Sequence, residues 1–372
     1  MQISAQISRF HGTEIPFEIC EVPVIATSED TLVHVSLATI CGSDLHTVSG
    51  RREAPTPCVL GHEAVGTIAA PTQCRSATGE PLREGDRVTW SLMASCGTCD
   101  YCTDRNLPQK CDRLFKYGHA RSEGTTTLSG GFATHILLRR GTAIYHIPDD
   151  ITDKEVVPIN CALATVVNGL KTIGTHPNEA AVIHGAGMLG IYAACYLRER
   201  GYETIAVIDI NDRRLEIAKR FGATHTFNPD KHSTTEIDTA LKNLTNGRGA
   251  DLGVEVSGVT SGLPNLIGWA AVGGRCLTLG YVYPNAYISV DADDLVRKCV
   301  TVRGVHNYHY TALGDSLRFI EENRRRYPFA ELIGETYPLA GINSAFEASK
   351  RRDALRIAIA PRREYVTARG DM

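Results

Sequence analysis

A chain of 372 residues is long enough for two domains, each with its own core. Its 34 glycines suit an α/β protein with many tight turns, and a formal charge of −3 gives no broad electrostatic reason to expect nucleic acid or a membrane as partner. Met1 to His11 is polar and alternating, without the apolar stretch of a signal peptide, and no segment is expected to reach the length needed to cross a bilayer.

From residue 15 to about 148, short apolar runs are broken by Gly and Pro. The runs 31–38, 64–69, 87–90, 132–138 and 143–147 read as strands of a compact, mostly β lobe. Near Thr152 the texture changes. Strands at 180–184, 204–209, 252–256 and 275–280 alternate with helix-length segments at 188–200, 213–221 and about 263–271. That rhythm means βαβ units and a doubly wound parallel sheet, so the fold class expected is α/β. After Arg303-Gly304 the rhythm stops, and a helix near 312–323 and short strands follow. The expected organisation is a discontinuous β domain, 1–155 with 305–372, around a nucleotide-binding domain at 156–304.

Within the first lobe, residues 91–113 hold Cys96, Cys99, Cys102 and Cys111 at C-x2-C-x2-C-x8-C spacing. Four thiolates so placed converge on one tetrahedral zinc ion that is structural, with no open position for chemistry. Disulfides are the competing reading, but they belong to small secreted domains. The chain's twelve cysteines read instead as metal ligands plus buried thiols, with a reducing cytoplasm as the expected location. Cys20, Cys58, Cys74, Cys195, Cys276 and Cys299 match no ligand position and read as buried or idle thiols.

In the second domain, Gly185-Ala-Gly187-Met188-Leu189-Gly190 follows an apolar strand and opens an apolar helix. Gly185 permits the tight turn, Gly187 lets the backbone approach a pyrophosphate, and Gly190 lets helix and strand pack closely. The anion would meet the free amides of the helix start, at Met188 and Leu189. Asp209 ends the next strand, where a carboxylate accepts from the adenosine ribose hydroxyls and repels a 2′-phosphate. NAD is therefore expected over NADP, with Arg213 and Arg214 leaving some NADP tolerance open.

With Cys41-Gly42-Ser43-Asp44-Leu45-His46 and Gly61-His62-Glu63 added, the chain resembles, over its whole length, the zinc-dependent alcohol dehydrogenases of the medium-chain dehydrogenase/reductase family. The resemblance implies a GroES-like catalytic domain beside a Rossmann domain, and two zinc ions per chain with NAD. It makes Cys41, His62 and Cys161 the catalytic zinc ligands, a set that leaves a fourth position open. Glu63 is similar to the family glutamate that approaches the metal during ligand exchange. Asp44 is similar to the carboxylate that orients the ligating imidazole, with a helix cap as its plainer reading. Ser43 and His46 match the family's proton relay, although His46 also reads as a surface histidine. Thr165 and Arg356 match positions that lie, in relatives, near nicotinamide and pyrophosphate. The resemblance implies a Lewis acid that favours the alkoxide form and a hydride passed to nicotinamide.

Arg51-Arg52-Glu53 bears on the substrate. Relatives acting on simple alcohols carry an apolar residue at the position of Arg52, whereas a guanidinium grips a carboxylate or phosphonate with two parallel hydrogen bonds. Lys116, His119 and Arg121 add positive charge in a nearby loop. The stretches 39–52 and 57–64 are similar to alcohol dehydrogenases associated with phosphonate catabolism, which agrees with an anionic alcohol or aldehyde as the small-molecule substrate. A solvated Arg–Glu rim pair is the bland alternative, and a polyol or amino-alcohol dehydrogenase of the same family then follows. A non-catalytic NAD- and zinc-binding regulator is the rival from another class. The resemblance implies a homodimer or homotetramer, and no nucleic-acid or membrane partner is expected.

Overall fold

The computed structural model describes residues 4–70 and 75–361, so Cys74 lies outside the described residues. The chain divides into two compact units, one of residues 1–161 with 309–372 and one of residues 162–308. The borders fall a few residues beyond those expected at 155 and 305. The shift has a local cause: the first border runs inside a continuous helical run, Asp153–Ile173. That run has 21 residues and is long and apolar enough to cross a membrane, which corrects the expectation that no such segment exists. Its apolar window is 67% buried, as in a core helix.

The first unit is built on two sheets. Among the described residues, a three-stranded sheet orders Glu18–Pro23, Ser4–Phe10 and Cys58–Val59. The alternation noted at the amino terminus is the period-2 pattern of its central strand, Ser4–Phe10. The larger sheet runs Ile333–Pro338, Arg356–Ala360, Thr31–Thr39, Glu63–Ile68, Arg87–Ala94 and Phe115–Lys116. His135–Leu138 and Thr142–His146 pair onto its third and fifth strands. The carboxyl-terminal pair thereby rejoins the first lobe, with Ala358 opposite Thr39. Val33, Trp90, Tyr117, Phe132, Phe346 and Ile359 lie in its shared buried core.

An ion-pair cluster anchors the returning segment. Arg324, just past the helix Thr311–Asn323, donates from Nε to Glu155 at 3.1 Å and from Nη1 to Asp150 at 2.8 Å. Glu155 also accepts from the Thr152 N–H at 2.8 Å and its hydroxyl at 2.7 Å, closing a capping box. Burial opposes its charge, but these donors outweigh it and hold the carboxyl below its ordinary value of 4.5. The stabilisation is thus present above the ordinary carboxylate value and is lost as pH falls through the lower native one. Glu155→Gln is expected to cost about 1 kcal/mol in urea unfolding at pH 7, and the difference should vanish in strong acid.

The second unit is a six-stranded, all-parallel sheet among the described residues. Its order is His225–Phe227, Thr204–Ile208, Ala180–His184, Ala250–Glu255, Ala270–Thr278 and Thr301–Gly304. The order reverses direction at Ala180–His184, the switch point outside which nucleotides bind in doubly wound folds. The helix Gly262–Trp269 passes straight into the strand Ala270–Thr278, so that strand starts five residues before its expected beginning at 275. Ala270 and Ala271 carried no strand signal of their own.

Candidate metal centres and nucleotide loop

The four-cysteine lobe gathers all its sulfurs within 4.8 Å of one another. Cys99 Sγ lies 3.5 Å from Cys102 Sγ and 3.9 Å from Cys111 Sγ. A tetrahedron with Zn–S bonds of about 2.3 Å spaces its sulfurs by about 3.8 Å, whereas a disulfide needs about 2.05 Å. The geometry fits a metal. The Thr98 hydroxyl and N–H, donating to Cys96, bring its thiol down to about 5, while burial and Cys99 push Cys102 up to about 12. Four thiolates together need a cation among them. The Arg113 N–H donates to Cys111 Sγ at 3.3 Å and supports the lobe from outside.

The second cluster comprises Cys41, His62, Glu63 and Cys161, again with ligand atoms within 4.8 Å of one another. Cys41 is the N-cap of the short helix Gly42–Val48. His62 follows Gly61, which has φ +89, and a Cβ on Gly61 would lie 2.8 Å from the Phe132 ring. Only glycine fits that approach. Cys161 sits in a single π-turn, Ile159–Leu163, inside the helical run. Such turns mark functional positions in helices. Cys41 is 7% exposed, His62 4% and Glu63 0%.

Asp44 caps the helix and stands beside the imidazole. Its Oδ2 accepts from the Cys41 N–H at 2.8 Å as part of a capping box, and its Oδ1 faces His62 Nδ1 at 3.5 Å. Neither of those last two buried atoms has a hydrogen-bond partner among the described residues. The other imidazole nitrogen, Nε2, has Ser43 Oγ 3.3 Å away.

The electrostatics of this cluster ask for positive charge. Burial opposes a charged His62, yet Asp44 and Cys41 push it up to about 10. A proton there stands in for the charge a metal brings. Cys161 donates to Cys41, so Cys41 is held well below the thiol range while Cys161 is raised well above it. Two sulfurs and one imidazole nitrogen are a donor set suited to zinc.

Sequence reasoning missed what holds Glu63. The Arg356 Nε donates to Glu63 Oε2 at 2.7 Å and its Nη2 to Oε1 at 2.9 Å, and Nη2 stands 3.5 Å from Cys41 Sγ. Thr39 adds a hydroxyl to Glu63 Oε2 at 2.6 Å. The resemblance carried Arg356 to the cofactor's pyrophosphate; what surrounds its guanidinium is Glu63 and the Cys41 thiol. Nothing in the sequence links residues 293 positions apart.

Around this cluster, His119 stacks on His62 with centroids 5.2 Å apart. Burial, then Arg52, brings Lys116 down to about 8. Burial lowers His119 well below the histidine range, with His62, Lys116 and Arg52 adding to it. Arg52 is half-buried, and neither it nor Arg51 pairs with Glu53 among the described residues, so the rim-pair alternative is not formed. Arg121 is exposed and pairs with Glu123, which removes it from the group. Of the cysteines read as buried or idle, Cys58, Cys195 and Cys276 are buried, Cys20 is half-buried and Cys299 is exposed.

In the second unit the glycine loop has the form its spacing requires. Gly185 has φ +114, and a Cβ there would lie 2.9 Å from the Ser257 nitrogen. At Gly190 a Cβ would lie 1.9 Å from the Gly185 oxygen, whereas at Gly187 it would meet nothing within 4 Å. The loop is thus closed on its protein side and open where a phosphate would rest, at the start of the helix Met188–Glu199. Asp209 Oδ2 accepts from the Ala186 N–H at 2.7 Å and Oδ1 from the Asn211 N–H at 2.9 Å, fixing the carboxylate beside the loop. Arg213 is exposed and Arg214 half-buried on the following helix, and Thr165 is half-buried on the first turn of Ala164–Ile173.

Two family models match the chain. The alcohol dehydrogenase GroES-like domain matches residues 27–149, and the zinc-binding dehydrogenase domain matches residues 189–322. A 5-exo-hydroxycamphor dehydrogenase of Pseudomonas putida is 29% identical, covering 90% of this chain and 92% of its own length. An L-threonine 3-dehydrogenase of Idiomarina loihiensis is 29% identical over 74% of this chain and 76% of its own. The crystal structure of an alcohol dehydrogenase from Thermotoga maritima superposes with a TM-score of 0.91 at 27% identity, over 96% of this chain and 99% of its own. With its domain order, glycine loop and metal clusters, the chain belongs to the zinc-dependent alcohol dehydrogenases of the medium-chain dehydrogenase/reductase family, oxidoreductases that use zinc and a nicotinamide dinucleotide.

Proposed function

We propose that this dehydrogenase is NAD-linked, holds its catalytic zinc on Cys41, His62 and Cys161, and acts on an alcohol or aldehyde that carries an anionic group, a phosphonate foremost. Cys41, His62 and Cys161 would hold a zinc that, when bound, would supply the Lewis acidity for alcohol ionisation, and a bound nicotinamide would be the hydride acceptor. Ser43, beside His62 Nε2, would accept the hydroxyl proton while giving up its own, with His46, one turn later on the same helix, as the outward base of the relay. Burial, then Arg51, lowers the basicity of His46, so it is neutral and able to receive a proton at pH 7.

The observation that carries the substrate class is the cation group beside the metal ligands. Burial, then Arg52, lowers Lys116, and no ion pair to either is present among the described residues. Half-buried cations without a carboxylate favour a bound anion. Relatives named for hydroxycamphor act on an uncharged alcohol, so this preference would be the chain's own. Likeness to L-threonine 3-dehydrogenases favours a second reading, an amino alcohol whose carboxylate meets the same cations. Steady-state kinetics with neutral, amino-, carboxylate- and phosphonate-bearing alcohols separate them. Arg52→Ala is expected to lower kcat/KM about 10–100-fold for the anionic alcohols only. An unchanged preference ends the anionic reading.

For the cofactor, Asp209 supports NAD over NADP. Asp209→Ala should raise the NAD KM about 10–100-fold, the loss of a charged hydrogen bond, and narrow the gap to NADP. The same reading places the enzyme in the reducing cytoplasm as a homodimer or homotetramer.

A further inference from the structure

Asn160 has no part in the chemistry above, yet it is fully buried and adjoins a metal ligand. Its Nδ2 donates to the backbone carbonyl of His62 at 3.1 Å and to that of Trp90 at 3.2 Å. Both amide hydrogens are thus spent on backbone far away in sequence, and one acceptor belongs to a metal ligand. The same residue lies in the π-turn Ile159–Leu163 that carries Cys161.

We propose that Asn160 is a positioning residue that ties the Cys161 turn to the His62 strand end and so sets the spacing of the catalytic zinc ligands. The inference rests on reading Cys41, His62 and Cys161 as those ligands. A π-turn is a one-residue insertion in the helix, and relaxing it to α would rotate Cys161 by about 100°. That rotation would turn the Cys161 sulfur away from Cys41 and His62. The two hydrogen bonds oppose it, because letting the turn relax would leave two buried carbonyls without their donor. Ligand-orienting residues outside the coordination sphere typically change metal affinity about 10–100-fold.

The test is timed zinc release to a chelator, with total zinc measured on the purified full chain. Asn160→Leu, close in size but without donors, should release one of two zincs about 10–100-fold faster than the native chain, or be purified with one. Asn160→Ala should do the same without crowding. Ile136→Ala, a cavity in the core of the same unit on a strand that pairs with neither Trp90 nor His62, should release both zincs at the native rate despite its lower stability. Native release rates in both Asn160 variants overturn the proposal, and so does equally fast release from Ile136→Ala. Cys161→Ser separates this from the reading beneath it. If Cys161→Ser keeps two zincs released at native rates, the ligand assignment itself is wrong. If it loses one while the Asn160 variants do not, only the role of Asn160 fails.

Discussion

Cys161→Ser is expected to lower kcat/KM for alcohol oxidation by about a thousandfold or more while leaving the chain folded. In the proposed set Cys161 supplies one of three ligand atoms, and a serine hydroxyl does not replace a thiolate on zinc. Losing the metal's charge removes several kcal/mol of stabilisation of the developing alkoxide. At 1.36 kcal/mol per tenfold, about 4 kcal/mol corresponds to about a thousandfold. Steady-state kinetics with metal analysis check this: turnover should collapse as one of two zincs disappears. Cys195→Ser is the matching control. Cys195 is also buried but is committed to a helix of the second unit, its Sγ 3.3 Å from the Tyr192 carbonyl. It should keep both zincs and turnover.

Arg356→Leu is expected to destabilise the chain by about 3–5 kcal/mol, because it leaves a buried carboxylate without its cation. Glu63 is 0% exposed and Arg356 7%, and the pair is bidentate. Arg356 also joins the last strand of the first unit to the metal centre through Cys41. The double variant Arg356→Leu with Glu63→Leu should recover most of the loss, since an apolar pair no longer buries a lone charge. Urea unfolding of the single and double variants checks this. Equal losses in both would show that the ion pair is not the cause.

How legible these features were follows from how far apart their parts lie. The structural lobe was readable because four sulfurs within sixteen residues converge by spacing alone. The glycine loop was readable because a strand, a turn and a helix start are local chemistry, and Asp209 lies beside it, accepting from the Ala186 N–H. Cys41, His62 and Cys161 form no compact motif and emerged only through resemblance. Arg356 on Glu63 and Asn160 on His62 were invisible, since their partners lie 293 and 98 positions away. The unit border was misplaced because Thr152 starts a helix, and a helix start is not a change of unit. The amino-terminal strand was passed over because its alternation was read as polar rather than as a half-buried face.

Zinc counted per chain against turnover during mild chelation tests the ligand assignment most directly. Two zincs at the outset, with activity falling in step with loss of the first and the four-cysteine zinc held longer, is the result expected. One zinc per chain, confined to Cys96, Cys99, Cys102 and Cys111, with alcohol oxidation undiminished, would contradict it.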